Sequence, residues 1–87
     1  MVLLATPRFR RSFKKLTKEL QHLVWEKMEL FRITPFHPGL RTHKLTVGEL
    51  WAFSVDHKNR VVFQFSKNDE VILVNVGDHS IYRKLTP

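Results

Sequence analysis

The sequence predicts a single α+β domain: one short strand, an αα-hairpin, then a curled antiparallel sheet of about four strands. Three observations carry that expectation. Two helix-start signals, Thr6-Pro7 and Thr17, each precede apolar residues spaced at three and four. Beyond Leu40 the apolar period changes from helical to two. The second half is punctuated at short, even intervals by turn residues, as in a meander. An 87-residue chain holds one core and no more, so residues 1–87 are read as one domain.

The elements follow in order. Met1–Thr6 is apolar and β-branched enough for a first strand. Thr6 is placed to cap the first helix, with Pro7 at its first position, where a missing N–H costs nothing. Phe9, Phe13 and Leu16 mark its apolar side. Thr17 caps the second helix, and Glu19 lies in the first turn, where the macrodipole favours an anion. Leu20, Leu23, Val24, Met28 and Phe31 form its stripe, flanked by Trp25 and Leu30. Two prolines and Gly39 stop it near Ile33. Leu45 and Val47 then alternate with Lys44 and Thr46. Trp51–Val55, Val61–Phe65 and Val71–Val76 follow, separated by turns at Asp56–Asn59 and Lys67–Asp69. The last strand is apolar on both faces, which predicts a central position.

Composition narrows the chemistry. Fifteen Lys+Arg against eight Asp+Glu give a formal charge of +7, which favours a polyanionic partner. Arg8, Arg10, Arg11, Lys14, Lys15 and Lys18 all precede the first acid, Glu19, so the N-terminal segment supplies much of that charge. With no cysteine there is no disulfide, thiolate zinc site or cysteine nucleophile. No apolar run is long enough for a membrane span or signal peptide, so a cytoplasmic protein without a membrane partner is expected.

The five histidines, His22, His37, His43, His57 and His79, include no helical i, i+4 pair. Neither a metal nor any other cofactor is expected. His22 and His57 read as surface residues and His37 as a packed loop residue. No serine has a nucleophile-elbow context. Phosphoryl chemistry on RNA asks for less: the 2′-hydroxyl is the nucleophile, and the protein supplies only a base, an acid and cations. Histidine, arginine, lysine and tyrosine on a basic sheet supply them. Gly77-Asp78-His79-Ser80-Ile81-Tyr82-Arg83, directly after the last strand, places His79 beside Tyr82 and Arg83.

Four local patterns, taken in order, resemble the RelE/ParE superfamily of small toxins from type II toxin–antitoxin systems. They are Thr6-Pro7-Arg8-Phe9, the stretch Gly39–Leu45 with His43, the paired strands in which Arg60 opens the second, and the Gly77–Tyr82 ending. They span Thr6 to Arg83. The resemblance implies the RelE-like fold and, in the RelE/YafQ/YoeB-like branch, metal-independent cleavage of mRNA, on the ribosome in many members. The 2′-hydroxyl would attack the adjacent phosphate, leaving a 2′,3′-cyclic phosphate and a 5′-hydroxyl.

Carried over by position, Arg60 would stabilise the phosphorane, His79 would protonate the leaving oxygen, and Tyr82 would stack on or orient the nucleotide. His43 and Lys44 would act as general base and phosphate contact. A histidine pKa near ~6.5 suits either acid or base. Arg41, Arg83, Arg10 and Lys14 complete the RNA- and phosphate-binding candidates. Tyr82 follows His79 by three residues, where related ribonuclease toxins often have four. The implied partner is an antitoxin peptide, acidic or amphipathic, in a hetero-oligomer with the toxin. Two alternatives sit on the same sequence: a ParE-like binder of DNA gyrase, and a basic RNA-binding domain without catalysis.

Overall fold

The computed structural model describes residues 1–85. It contains β1 (Val2–Ala5), α1 (Pro7–Lys14), α2 (Lys18–Ile33), a 3₁₀ turn (Pro38–Leu40), β2 (His43–Lys44), β3 (Leu50–Ser54), β4 (Arg60–Phe65), β5 (Glu70–Gly77) and a C-terminal 3₁₀ segment (His79–Leu85). The fold is the expected α+β arrangement.

Both helix starts form as the sequence signals. Thr6 Oγ1 accepts from Phe9 N at 3.1 Å, and Thr17 Oγ1 accepts from Leu20 N at 3.2 Å. The Thr6 hydroxyl also donates to the Leu73 and Val74 carbonyls, so one side chain caps α1 and ties it to β5.

The strands order β1-β5-β4-β3-β2 in one five-stranded sheet. β2 to β5 form the antiparallel meander. β1 joins it in parallel, with Val2 N donating to Asp69 O and Thr6 N to Leu73 O. The sheet is therefore mixed rather than wholly antiparallel: the αα-hairpin carries the chain back across the sheet, so β1 lies alongside β5 in the same direction. β5 lies between β1 and β4, the interior place its apolar composition predicted. Asn68 and Asp69 both take left-handed backbone conformations, which gives a hairpin turn matched to strand twist.

Two stretches depart from expectation. β2 is only His43–Lys44: the alternation expected through Leu45 and Val47 gives way to a bend and turn over residues 46–49, closed by Leu50 N donating to Val47 O, while Leu40 on the other side lies wholly buried in the 3₁₀ turn. The C-terminal 3₁₀ segment carries no periodicity that a sequence reading detects.

Each face of the sheet has its own cover. On one, α1 and α2 bury Phe9, Val24, Met28 and Phe31 against Phe53, Val61, Phe63 and Leu73. Phe31 is the hub, with ring centroids 4.7 Å from both Phe53 and Phe63, the second edge-on. Such pairs add about 0.5–1.5 kcal/mol each beyond area burial. On the other face, Ile81 of the 3₁₀ segment packs on Ala52 and Val62, with Tyr82, Leu85, Leu45, Leu50 and Val74 around them. A β-bulge in the β4–β5 pairing leaves Val74 without a partner and shifts the strand end by one residue. Leu73 and Val76 thereby share the helix-side core although three residues apart.

Candidate functional site

The site follows from strand register. Side chains alternate along a strand, so residues directly opposite across a pair share a face. His43 lies opposite Ala52, Ala52 opposite Val62, and Arg60 between Ser54 and Gly77. His43 and Arg60 therefore emerge on the face that the 3₁₀ segment covers. That segment returns over the sheet because Gly77 has no side chain: a Cβ there would stand 2.8 Å from Ile81 Cγ2. Asp78 Oδ1 accepts from Ser80 N at 2.9 Å and caps the segment at its start.

The outcome is a concavity of about 370 Å³ lined by His43, Arg60, His79 and Tyr82, with Leu45, Thr46, Val47 and Leu85 as its less polar wall. Four candidates from three separate parts of the chain meet there. His79 and Tyr82 adjoin because 3₁₀ geometry, at three residues per turn, stacks i on i+3. Their ring centroids are 5.8 Å apart, edge to face. The three-residue spacing seen in the sequence is thus the spacing that this local structure requires.

The electrostatics differ at each group. His43 Nδ1 lies 2.8 Å from the Arg41 carbonyl oxygen. A carbonyl only accepts, so Nδ1 carries the proton, and neutral His43 keeps its Nε2 lone pair free. The Arg60 guanidinium is fixed through Nη1, which donates to Asp56 O at 2.6 Å and Asn59 O at 3.0 Å, with His57 O at 3.3 Å. Its Nε and Nη2 make no hydrogen bond among the described residues, which leaves two donor positions for a ligand. Burial pushes the Tyr82 phenol up and the nearby Arg60 charge pulls it partly back, so the ring carries a neutral hydroxyl at neutral pH. Hydrogen bonds from Ser80, side chain and then backbone, hold the Asp78 carboxyl below the usual range, with the charge of His79 adding to them.

The other sequence candidates lie elsewhere. Lys44 is opposite Trp51, on the helix-side face, and its Nζ donates to Gly48 O at 3.2 Å. Adjacent strand residues point to opposite faces, so it cannot share the concavity with His43. Arg83 lines a neighbouring depression with Lys58, Asp78, His79 and Ser80. Arg41 lines another, with Lys27, His57 and Arg60. Lys27, His57 and Lys58 were missed by sequence reading, which offers no pattern linking a helix to a distant turn. Arg10 and Lys14 rim a separate apolar groove between β1, α1 and α2, whose walls include Leu3, Phe9, Phe13, Trp25 and Met28. His37 is exposed rather than packed: its Nδ1 accepts from Gly39 N at 3.0 Å and caps the 3₁₀ turn.

No family model matches the sequence, and neither does any curated protein. Solved structures do match. The chain aligns with a YoeB/ParE toxin from Agrobacterium tumefaciens at a TM-score of 0.77 and 14% identity, covering 91% of this chain and 99% of that one. The fold is that of the RelE/ParE toxins. YafQ from E. coli strain BL21(DE3) shares this fold at a TM-score of 0.76 and 12% identity, over 92% and 94% of the two chains. A chain of the intact E. coli RelBE toxin–antitoxin complex aligns at 0.71 and 15% identity, over 88% and 94%. Among the described residues, no helix of this RelE/ParE fold is long and apolar enough to cross a membrane.

Proposed function

We propose that this chain is the toxin of a toxin–antitoxin pair and acts as a metal-independent endoribonuclease on single-stranded RNA, with mRNA its natural substrate. The observation that carries the reading is the convergence of His43, Arg60, His79 and Tyr82 on one concavity. His43 Nε2 takes the proton of the 2′-hydroxyl as its oxygen bonds to phosphorus. The free donors of Arg60 meet the charge that develops on the phosphorane oxygens. As the P–O5′ bond breaks, protonated His79 gives its proton to the leaving oxygen. The products are a 2′,3′-cyclic phosphate and a 5′-hydroxyl. Tyr82, partly buried and uncharged, offers a ring edge or face to a base beside His79.

The apolar groove between β1, α1 and α2, with Arg10 and Lys14 at its rim, suits an amphipathic antitoxin segment carrying acidic residues. Titrating groups in a cavity favour catalysis over a purely inhibitory binder such as a gyrase poison. Inducible expression of wild type beside His79→Ala tests this. Growth arrest with new 5′-hydroxyl RNA ends, both lost in the variant, is the expected result. Arrest without RNA cleavage would reject the ribonuclease in favour of a binder, and no arrest would reject the toxin.

A further inference from the structure

A second concavity adjoins the first. It lies around the β3–β4 turn and is lined by Lys27 of α2, Arg41 of the loop before β2, Ser54 of β3, and Asp56, His57 and Arg60 of the turn and β4, with Gly39 and Val55 completing the wall. Arg60 lines both cavities. Its Nη1 is held by the turn carbonyls, which leaves Nε and Nη2 as unused donors at the shared wall.

The cations of this second cavity outnumber its acid. Among the described residues, the ion pairs are Met1 N-terminus–Asp69 and Arg32–Glu29, so Lys27, Arg41 and Arg60 form no direct ion pair, although the Arg60 charge acts on Asp56. The cavity's own acid, Asp56, is already committed: Oδ1 accepts from Lys58 N at 2.9 Å, Asn59 N at 2.7 Å and Asn59 Nδ2 at 3.0 Å. The backbone that carries Arg41 is well defined. Arg41 holds a left-handed backbone conformation, φ 51°, at the end of a 3₁₀ turn anchored by fully buried Leu40. Few residues other than glycine, asparagine and aspartate adopt that conformation readily. Three cations from separate elements thus surround one depression whose single carboxylate faces its own turn.

We infer that this depression is a second phosphate site. It takes the phosphodiester of a nucleotide adjacent to the one cleaved, and Arg60 stands between the two phosphates. The identity of the chain that carries the phosphates rests on the ribonuclease reading; the anion site itself rests on the side chains around it. RNA is favoured over an acidic peptide because the depression shares Arg60 with the cavity of titrating groups. The groove suited to a peptide is bounded instead by β1, α1 and α2.

The test is binding of a fluorescent five-nucleotide RNA blocked by 2′-O-methyl groups, measured by anisotropy across a salt series, so cleavage does not enter. For a single strand the slope of log K against log salt is about −0.7 per phosphate neutralised. Lys27→Gln and, separately, Arg41→Gln should each weaken binding about fivefold and reduce the slope by about 0.7. Lys27 lies on a helix away from the loop that holds His43, so its variant stays informative if Arg41→Gln disturbs the backbone. Unchanged affinity and slope in folded Lys27→Gln would overturn the site and leave the ribonuclease reading standing. Wild-type binding with the predicted slope losses, but no new 5′-hydroxyl ends in cellular mRNA on expression, would uphold the site and reject the ribonuclease. A variant that keeps RNA affinity but loses affinity for a poly-glutamate peptide would assign the depression to a protein partner and overturn the inference.

Discussion

Replacing Arg60 by alanine should abolish most RNA cleavage at a modest cost in stability, and the structure gives a magnitude for each. On the stability side, the substitution removes the Nη1 bonds to the carbonyls of Asp56 and Asn59. Hydrogen bonds from a charged group contribute roughly 1.5–3 kcal/mol, and the exposure of this turn lets water replace part of that. A loss of about 1–2 kcal/mol remains, against a total of ~5–15 kcal/mol for a domain. Each kcal/mol lowers Tm by roughly 4–8 °C in a domain this small, so the variant should stay folded at room temperature.

On the catalytic side, losing a positioned donor to developing oxyanion charge costs about 10²–10³ in kcat, or ~2.7–4 kcal/mol. The assay is cleavage of a fluorogenic RNA well below Tm, with circular dichroism on the same sample. Arg60→Lys serves as companion: it keeps the charge but cannot both anchor to the turn and present two further donors. Its rate should fall between the others. A folded Arg60→Ala protein cleaving within about threefold of wild type would remove Arg60 from the mechanism and refute the transition-state argument.

Other expectations follow from the same geometry. In ¹⁵N NMR spectra at a pH where His43 is neutral, its proton should reside on Nδ1, facing the Arg41 carbonyl; an Nε2–H tautomer would contradict the base role proposed for it. Gly77→Ala drives a Cβ to 2.8 Å from Ile81 Cγ2 at a positive φ, which should cost about 1–3 kcal/mol and shift the 3₁₀ segment that carries His79 and Tyr82. A wild-type melting temperature and cleavage rate in that variant would show that the segment does not depend on the glycine. At Asp56, burial pushes the carboxyl up, but hydrogen bonds from Asn59 and Lys58 and the Arg60 charge outweigh it and hold the carboxyl below its usual range. Its contribution is therefore full above the ordinary value of about 3.9 and is lost as pH falls through the lower folded value. Urea midpoints should decline less steeply in Asp56→Asn than in wild type below about pH 4, and parallel curves would count against it. Antitoxin binding should weaken steeply with salt if acidic residues meet Arg10 and Lys14, whereas a salt-independent affinity would mark an apolar interface.

Local chemistry made much of the fold legible. Caps are short-range devices, so Thr6 and Thr17 announce both helices within three residues of themselves. The stripe ending at Phe31 and the alternation of Val61 and Phe63 record burial directly, because a residue's period follows the face it must hide. His79 and Tyr82 were legible as near neighbours because three residues separate them, whereas the 3₁₀ turn that brings their rings together was not. By contrast, the parallel pairing of β1 with β5 joins residues some seventy positions apart, as Val2 meets Glu70. No local pattern encodes such a partner.

The sequence by itself determined the elements, their order, the basic charge and the stock of acid, base and cation. Only the tertiary structure decided which of those groups meet. Register turned Lys44 away from His43, although they are consecutive, because neighbouring strand residues point to opposite faces. The β3–β4 turn gathered Arg60, His57 and Asp56 beside Lys27 from a helix and Arg41 from a left-handed loop. The tautomer of His43 depended on a backbone carbonyl two residues away, whose direction is a matter of φ and ψ rather than of residue type. A side chain's identity is written in the sequence, but its direction is set by the backbone beneath it, and that backbone is fixed by contacts the whole chain makes at once.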